Sequence, residues 1–161
     1  MTNKFGSLTA TAAAAETFRV EIIDAVTDVV LRDKSGKAAY IEVLAADGDV
    51  GRAFDKEQRA VMFRKARKSR NGLVEDDDQL EQNIAKCARL TKAWHLVDPV
   101  TREPLEVPCN EANAIELYSA PNMGWLFMQP WGAANNAANF IKRSATSSTT
   151  SPSTPSAAAA S

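Results

Sequence analysis

Apolar and polar residues alternate at the start of the readable chain: Phe18, Val20 and Ile22 are separated by Arg19 and Glu21. A period of two predicts a half-buried strand. The β-branched run from Val26 to Leu31 extends that prediction, the cluster Asp33-Lys34-Ser35-Gly36-Lys37 reads as a turn, and Tyr40, Ile41, Val43 and Leu44 resume the strand pattern. A small N-terminal antiparallel sheet is expected. From Asp49 to Arg70 the period changes to that of a helix, with Phe54, Gln58, Val61 and Met62 on one side and Phe63 on the other.

Asn71-Gly72 is expected to end that helix with a left-handed cap, and Glu75 to Asp78 place four acids in the first turn of a second one. Leu80, Ile84, Cys87, Thr91 and Trp94 then read as one helical face. His95–Val97 and Leu105–Val107 flank a Pro-containing loop, which predicts a short hairpin or an extended connection. Asn110 is placed to cap a helix over Glu111–Ser119, and Pro121 to open another. In that last segment Met123, Phe127, Trp131, Ala134, Ala138 and Ile141 share a face, and Pro130 and Gly132 are expected to bend or split it. The expected class is therefore α+β, a small sheet followed by several helices.

Composition sets the boundaries. Ser144 to Ser161 contains only Ser, Thr, Pro and Ala, which neither fill a core nor pair charges, so a disordered tail is expected there. Residues 1–17 are expected to form a flexible arm and 18–143 a single domain. The arm carries Lys4 as its only cation and a weakly apolar Ala run, unlike a secretory signal, which points to the cytoplasm. No apolar run is long enough to span a bilayer.

Charge and reactive side chains narrow the function. Lys+Arg number 19 and Asp+Glu 20 in 161 residues, giving a formal net charge of -1, so no global basic field favours nucleic acid. The cluster Arg64 to Arg70 is the local exception; with Trp94 and His95 it is the basis for a nucleic-acid-binding regulator, a reading weakened by the acids at 75–78 and by the helix dipole, which favours cations at that end. Asp76-Asp77-Asp78 lacks the spacing of a Ca²⁺ loop. Cys87, Cys109 and the single His95 fall short of a zinc ligand set. With no nucleophile elbow, phosphate loop or dinucleotide fingerprint, neither an enzyme nor a cofactor is expected.

The residues that remain unexplained are aromatic. Met123 to Trp131 packs Trp125, Phe127, Met128 and Trp131 into one short element, more than one small core readily absorbs. Together with Phe63 they are the candidate partner-binding residues, since Trp, Phe and Met dominate interface hot spots and adaptable grooves.

From about Tyr40 to Phe140 the order of elements resembles a family of small tailed-bacteriophage proteins, the tail assembly chaperones of siphophages and their prophages. The marks are Ala46-Asp47-Gly48-Asp49, the basic helix through Arg70, and the acidic helix leading into Ala93-Trp94. They continue with Asp98, Pro104 and Leu105, the capping Asn110, Leu117-Tyr118, Pro121 and Ala138-Asn139-Phe140. Where the family has a short Asp-Gly turn, this chain has the longer Asp98 to Leu105. The resemblance implies a non-enzymatic protein of the host cytoplasm, absent from the mature virion. It would bind the tape measure protein, keep its long apolar-striped helices soluble and help recruit the tail tube protein. It leaves a homo-oligomer open, and a structural virion component, such as a minor tail or head-tail joining protein, is the alternative with the same small domain.

Overall fold

Residues 16–69 and 79–141 are described by the computed structural model. The predictions made for Asn71-Gly72, for Glu75 to Asp78, and for the greater part of both termini lie outside them. The strand alternation read from Phe18 onward produces β1 (Phe18–Glu21), which pairs antiparallel with β2 (Tyr40–Val43), Phe18 opposite Val43 and Glu21 opposite Tyr40. Ile41 and Val43 are wholly buried. On the opposite face Arg19 Nη2 meets Glu42 Oε1 at 2.7 Å, and the guanidinium lies 3.8 Å from the centre of the Tyr40 ring.

Val26 to Leu31 does not form the strand that its β-branched composition predicts. Asp24 Oδ1 accepts the Val26 N–H at 2.8 Å, an Asx turn that lifts Val26 into solvent, and only single bridges, Ile23 with Val30 and Arg32 with Ala38, follow. The segment is held by a chain of backbone bonds, Leu31 N–H to Ile22 carbonyl and Ala39 N–H to Leu31 carbonyl, each 2.8 Å, that brings Ile22, Leu31 and Ala39 into the core.

α1 (Asp49–Lys68) and α2 (Gln79–Leu90) follow, joined by Lys86–Asp55 and Arg89–Glu57 ion pairs at 2.9 and 2.7 Å. The face of α2 starts at Ile84: Leu80 is 55% exposed, contrary to its predicted place on the buried side. The helix also ends earlier than its apolar spacing predicts. Thr91–Val97 is β3, and Thr91 and Trp94 belong to that strand rather than to the helix. The Thr91 hydroxyl donates to the Cys87 carbonyl at 2.8 Å, the acceptor a continuing helix would use, and the Leu44 N–H takes the Leu90 carbonyl at 2.9 Å.

β3 then pairs antiparallel with β2, Tyr40 opposite His95 and Ile41 opposite Trp94, with a bulge between Glu42 and Val43. β4 (Pro104–Leu105) closes the predicted hairpin on Leu96 and Val97. The result is an α+β fold with a four-stranded antiparallel sheet in the order β1-β2-β3-β4. Its last two strands come from sequence beyond the helical pair.

Asn110 caps α3 (Glu111–Ser119) as predicted, its Oδ1 accepting the Asn113 N–H at 2.8 Å. α4 (Gly124–Ala134) begins three residues after Pro121, which sits in the preceding turn, and it runs unbroken through the buried Pro130. The break falls instead at Asn135–Asn136, ahead of a 3₁₀ turn at Ala137–Phe140. Two contacts seat α4 on the sheet. Gln129 accepts the Ile23 N–H through Oε1 at 2.8 Å and donates Nε2 to the Ile23 carbonyl at 2.9 Å, taking the place of a neighbouring strand; the Ala46 N–H reaches the Ala134 carbonyl at 2.8 Å.

One glycine is sterically required. A Cβ on Gly51 would lie 1.9 Å from the Ala46 carbonyl oxygen, because the first turn of α1 passes directly against the backbone that leads into it. Helix propensity alone favours alanine there by up to about 1 kcal/mol. The clash reverses the sign: Gly51→Ala is expected to destabilise the protein by about 2 kcal/mol, read as a lower urea midpoint.

Candidate partner-binding surface

The only histidine and a buried carboxylate meet, and their geometry is that of a structural staple. Asp33 Oδ1 accepts the Ser35 N–H (2.9 Å), the Ser35 hydroxyl (2.6 Å) and the Lys37 N–H (2.9 Å), while Oδ2 lies 3.1 Å from His95 Nε2. This carboxylate fastens the turn whose Gly36 has φ +89° to the middle of β3. The Ser35 hydroxyl, then Lys37, His95 and the Ser35 N–H, hold Asp33 down at about 2, with burial acting against them.

Other reactive groups are similarly occupied. Burial pushes the Cys87 thiol up to about 12 and the Tyr118 hydroxyl higher still. Tyr118 donates to Thr91 Oγ1 at 2.7 Å, since the Thr91 proton is already given to Cys87. Among the described residues no three His, Cys, Asp or Glu side chains converge as metal ligands would, and no helix is long and apolar enough to cross a membrane.

The five residues proposed from sequence separate into three environments. Phe127 is 3% exposed, stacked on Trp131 with ring centres 6.0 Å apart and tilted against Tyr118 at 5.7 Å. It is core, and its place among the surface residues is corrected: at the 3.6-residue period Phe127, Pro130 and Ala134 form the side of α4 turned to the sheet and α2. Trp125 and Trp131 are half-buried against that core. Met128 and Phe63 face solvent, 59% and 70% exposed.

Trp131 also belongs to a cleft of about 380 Å³ between α1, α2 and the end of α4. Phe54, Met62 and Trp131 supply its apolar part, and Gln58, Gln82 and Asn83 its amide rim. Phe63 stands next to Met62 along α1 but is turned out of the cleft. Met62 was legible only as one member of α1's inward face; the structure leaves it partly exposed at the cleft, which the sequence pattern does not disclose. The floor is rigid because Arg89 lies 5.0 Å from the centre of the Phe54 ring while bridging Glu57 and Glu111. Such an open, apolar-floored trough with amide edges suits a polypeptide more than a small molecule, which needs enclosure.

No protein-family model, no curated protein and no solved structure matches the chain.

Two expectations follow from these environments. Phe127→Ala is expected to cost about 3–5 kcal/mol as a core truncation, and Met128→Ser less than about 0.5 kcal/mol, in paired denaturation curves. Acid should act through Asp33: a carboxylate lowered from 3.8 to about 2 by the fold adds stability above its ordinary value and loses it as pH falls through the folded one. Stability is therefore expected to decline between about pH 4 and pH 2, and Asp33→Asn to flatten that limb of the curve.

Proposed function

We propose that this protein is a tail assembly chaperone of a siphophage or prophage, acting in the host cytoplasm by binding the tape measure protein and helping to recruit tail tube subunits. The observation that carries the reading is the cleft walled by Phe54, Met62 and Trp131, with Phe63 exposed beside it. The order of sequence motifs supports it independently. A very long helical client with apolar stripes self-associates unless those stripes are masked, and masking must be reversible. A shallow trough with a Met lip and a half-buried Trp offers adaptable contact without the large sealed area of a permanent complex. Trp125 and Phe127 then serve to hold α4, and with it Trp131, in place.

Co-expression with a siphophage tape measure protein tests the reading. The client is expected to shift from the pellet to the soluble fraction and to co-purify with the chain. If solubility is unchanged and no complex forms, the proposal fails. A stoichiometric band in purified virions would instead favour a structural component.

A further inference from the structure

The stretch from Ile22 to Leu31 has the composition of a strand but is folded back on itself. The Leu31 N–H reaches the Ile22 carbonyl at 2.8 Å and the Asp24 N–H the Val29 carbonyl at 2.9 Å, so the bridged residues Ile23 and Val30 face one another between two ladder bonds. In an antiparallel pair of that kind the N–H and C=O of Ile23 point away from Val30, towards the outer edge. Such a row of outward groups is a template on which another chain can pair. Here one side chain takes both. Gln129 Oε1 accepts the Ile23 N–H at 2.8 Å and Nε2 donates to the Ile23 carbonyl at 2.9 Å, the two bonds that a residue of a neighbouring antiparallel strand would make. Nε2 also donates to the Trp125 carbonyl at 3.1 Å, which fixes how the amide is turned.

A second clamp keeps the next residues from straightening. Asp24 Oδ1 holds the Val26 N–H, the Asp28 N–H reaches the Asp24 carbonyl at 2.9 Å, and Asp28 has φ +56°, a left-handed conformation that a strand does not contain. The bend leaves Val26 92% exposed, with Ile23 and Val29 also in solvent. Val26-Thr27-Asp28-Val29-Val30-Leu31 carries a single charge and neither Pro nor Gly, the profile of a segment that pairs with copies of itself once extended. None of these residues lines the cleft beside Trp131. We infer that Gln129 and Asp24 are edge guards, side chains that hold the stretch from Ile23 to Leu31 out of strand pairing with a second copy of this chain. A second copy is the occupant they exclude, because two identical edges related by a two-fold axis satisfy each other's Ile23 N–H and C=O as an antiparallel pair.

Hydrogen exchange and light scattering on the full chain test this. In the parent protein the Ile23 and Val26 amides are expected to exchange at least about tenfold more slowly than in an unstructured peptide, since both clamps are closed. Gln129→Leu keeps the side chain's bulk and removes both bonds to Ile23, and D24A/Q129L opens the second clamp as well. Held well below its melting temperature, the double variant is expected to assemble into species of about twice the parent's mass or more as concentration rises. Adding Val26→Lys should return it to the parent's mass. A lysine on a strand edge opposes pairing, and at a side chain so exposed it disturbs the monomer little.

Three results would each overturn the inference. One is a double variant that keeps its near-ultraviolet circular dichroism and the parent's mass at every concentration. Another is assembly that Val26→Lys leaves undiminished, which would place the contact elsewhere on the molecule. The third is an Ile23 amide that exchanges in the parent as fast as in an unstructured peptide. Should the double variant not fold, Gln129→Leu alone enters the same comparison, and the exchange of Ile23 in the parent decides without any substitution.

Discussion

The fold turns on how one helix stops. At the junction of α2 and β3 the Thr91 hydroxyl occupies the Cys87 carbonyl, the Tyr118 hydroxyl reaches Thr91, and Leu44 takes the carbonyl of Leu90. These groups come from α2, β3, α3 and the residue that follows β2, so the switch from helix to strand is also the point where the sheet, α2 and α3 are tied together. Buried polar groups at such a place cost free energy unless all are paired, and here none is left over. Once β3 leaves the helix in this direction it lies along β2, and Leu96, Val97 and Ile41 close one core with Leu90 and Cys87.

That junction also explains which parts of the fold were legible in the sequence. Local signals carried β1, β2, the cap at Asn110 and the start of α1, because each depends on neighbours within a few residues. The end of α2 depends on Tyr118 and Leu44, distant in sequence, and the spacing of Ile84, Cys87, Thr91 and Trp94 satisfies a helical period whether or not the helix continues. Val26 to Leu31 failed for the opposite reason. Its β-branched composition was real, but a single Asp24 side chain captured the backbone first. Pro130 and Gly132 are expected to bend or split the segment, yet the helix proceeds past both, fastened by Gln129 on the Ile23 backbone and by Ala134 on Ala46.

The candidate surface was legible in part for a related reason. Clustering of Trp, Phe and Met in one short segment reveals an excess of apolar side chains, but sequence does not say which side of α4 the sheet claims. The structure gives Leu126 and Phe127 to the core and leaves Met128, the next residue along, outside, as the rotation of about 100° per helical residue allows. Trp131 has a second role because it stacks on Phe127 while lining the cleft, so the core itself sets the angle of the cleft wall.

The placement of α1 links the core to the surface. The polar pairs of Asp55 with Lys86 and Glu57 with Arg89 register the first half of α1 against α2, and the steric demand of Gly51 against Ala46 fixes where α1 begins. With its start and first half fixed, α1 carries Phe54 and Met62 to the cleft in a set register. A cleft wall carried on such a helix loses little conformational entropy on contact, since the backbone is already ordered. The same apolar residues on a mobile loop would have to be ordered by their partner. Here α1 is preorganised by contacts made at its start and along its first half.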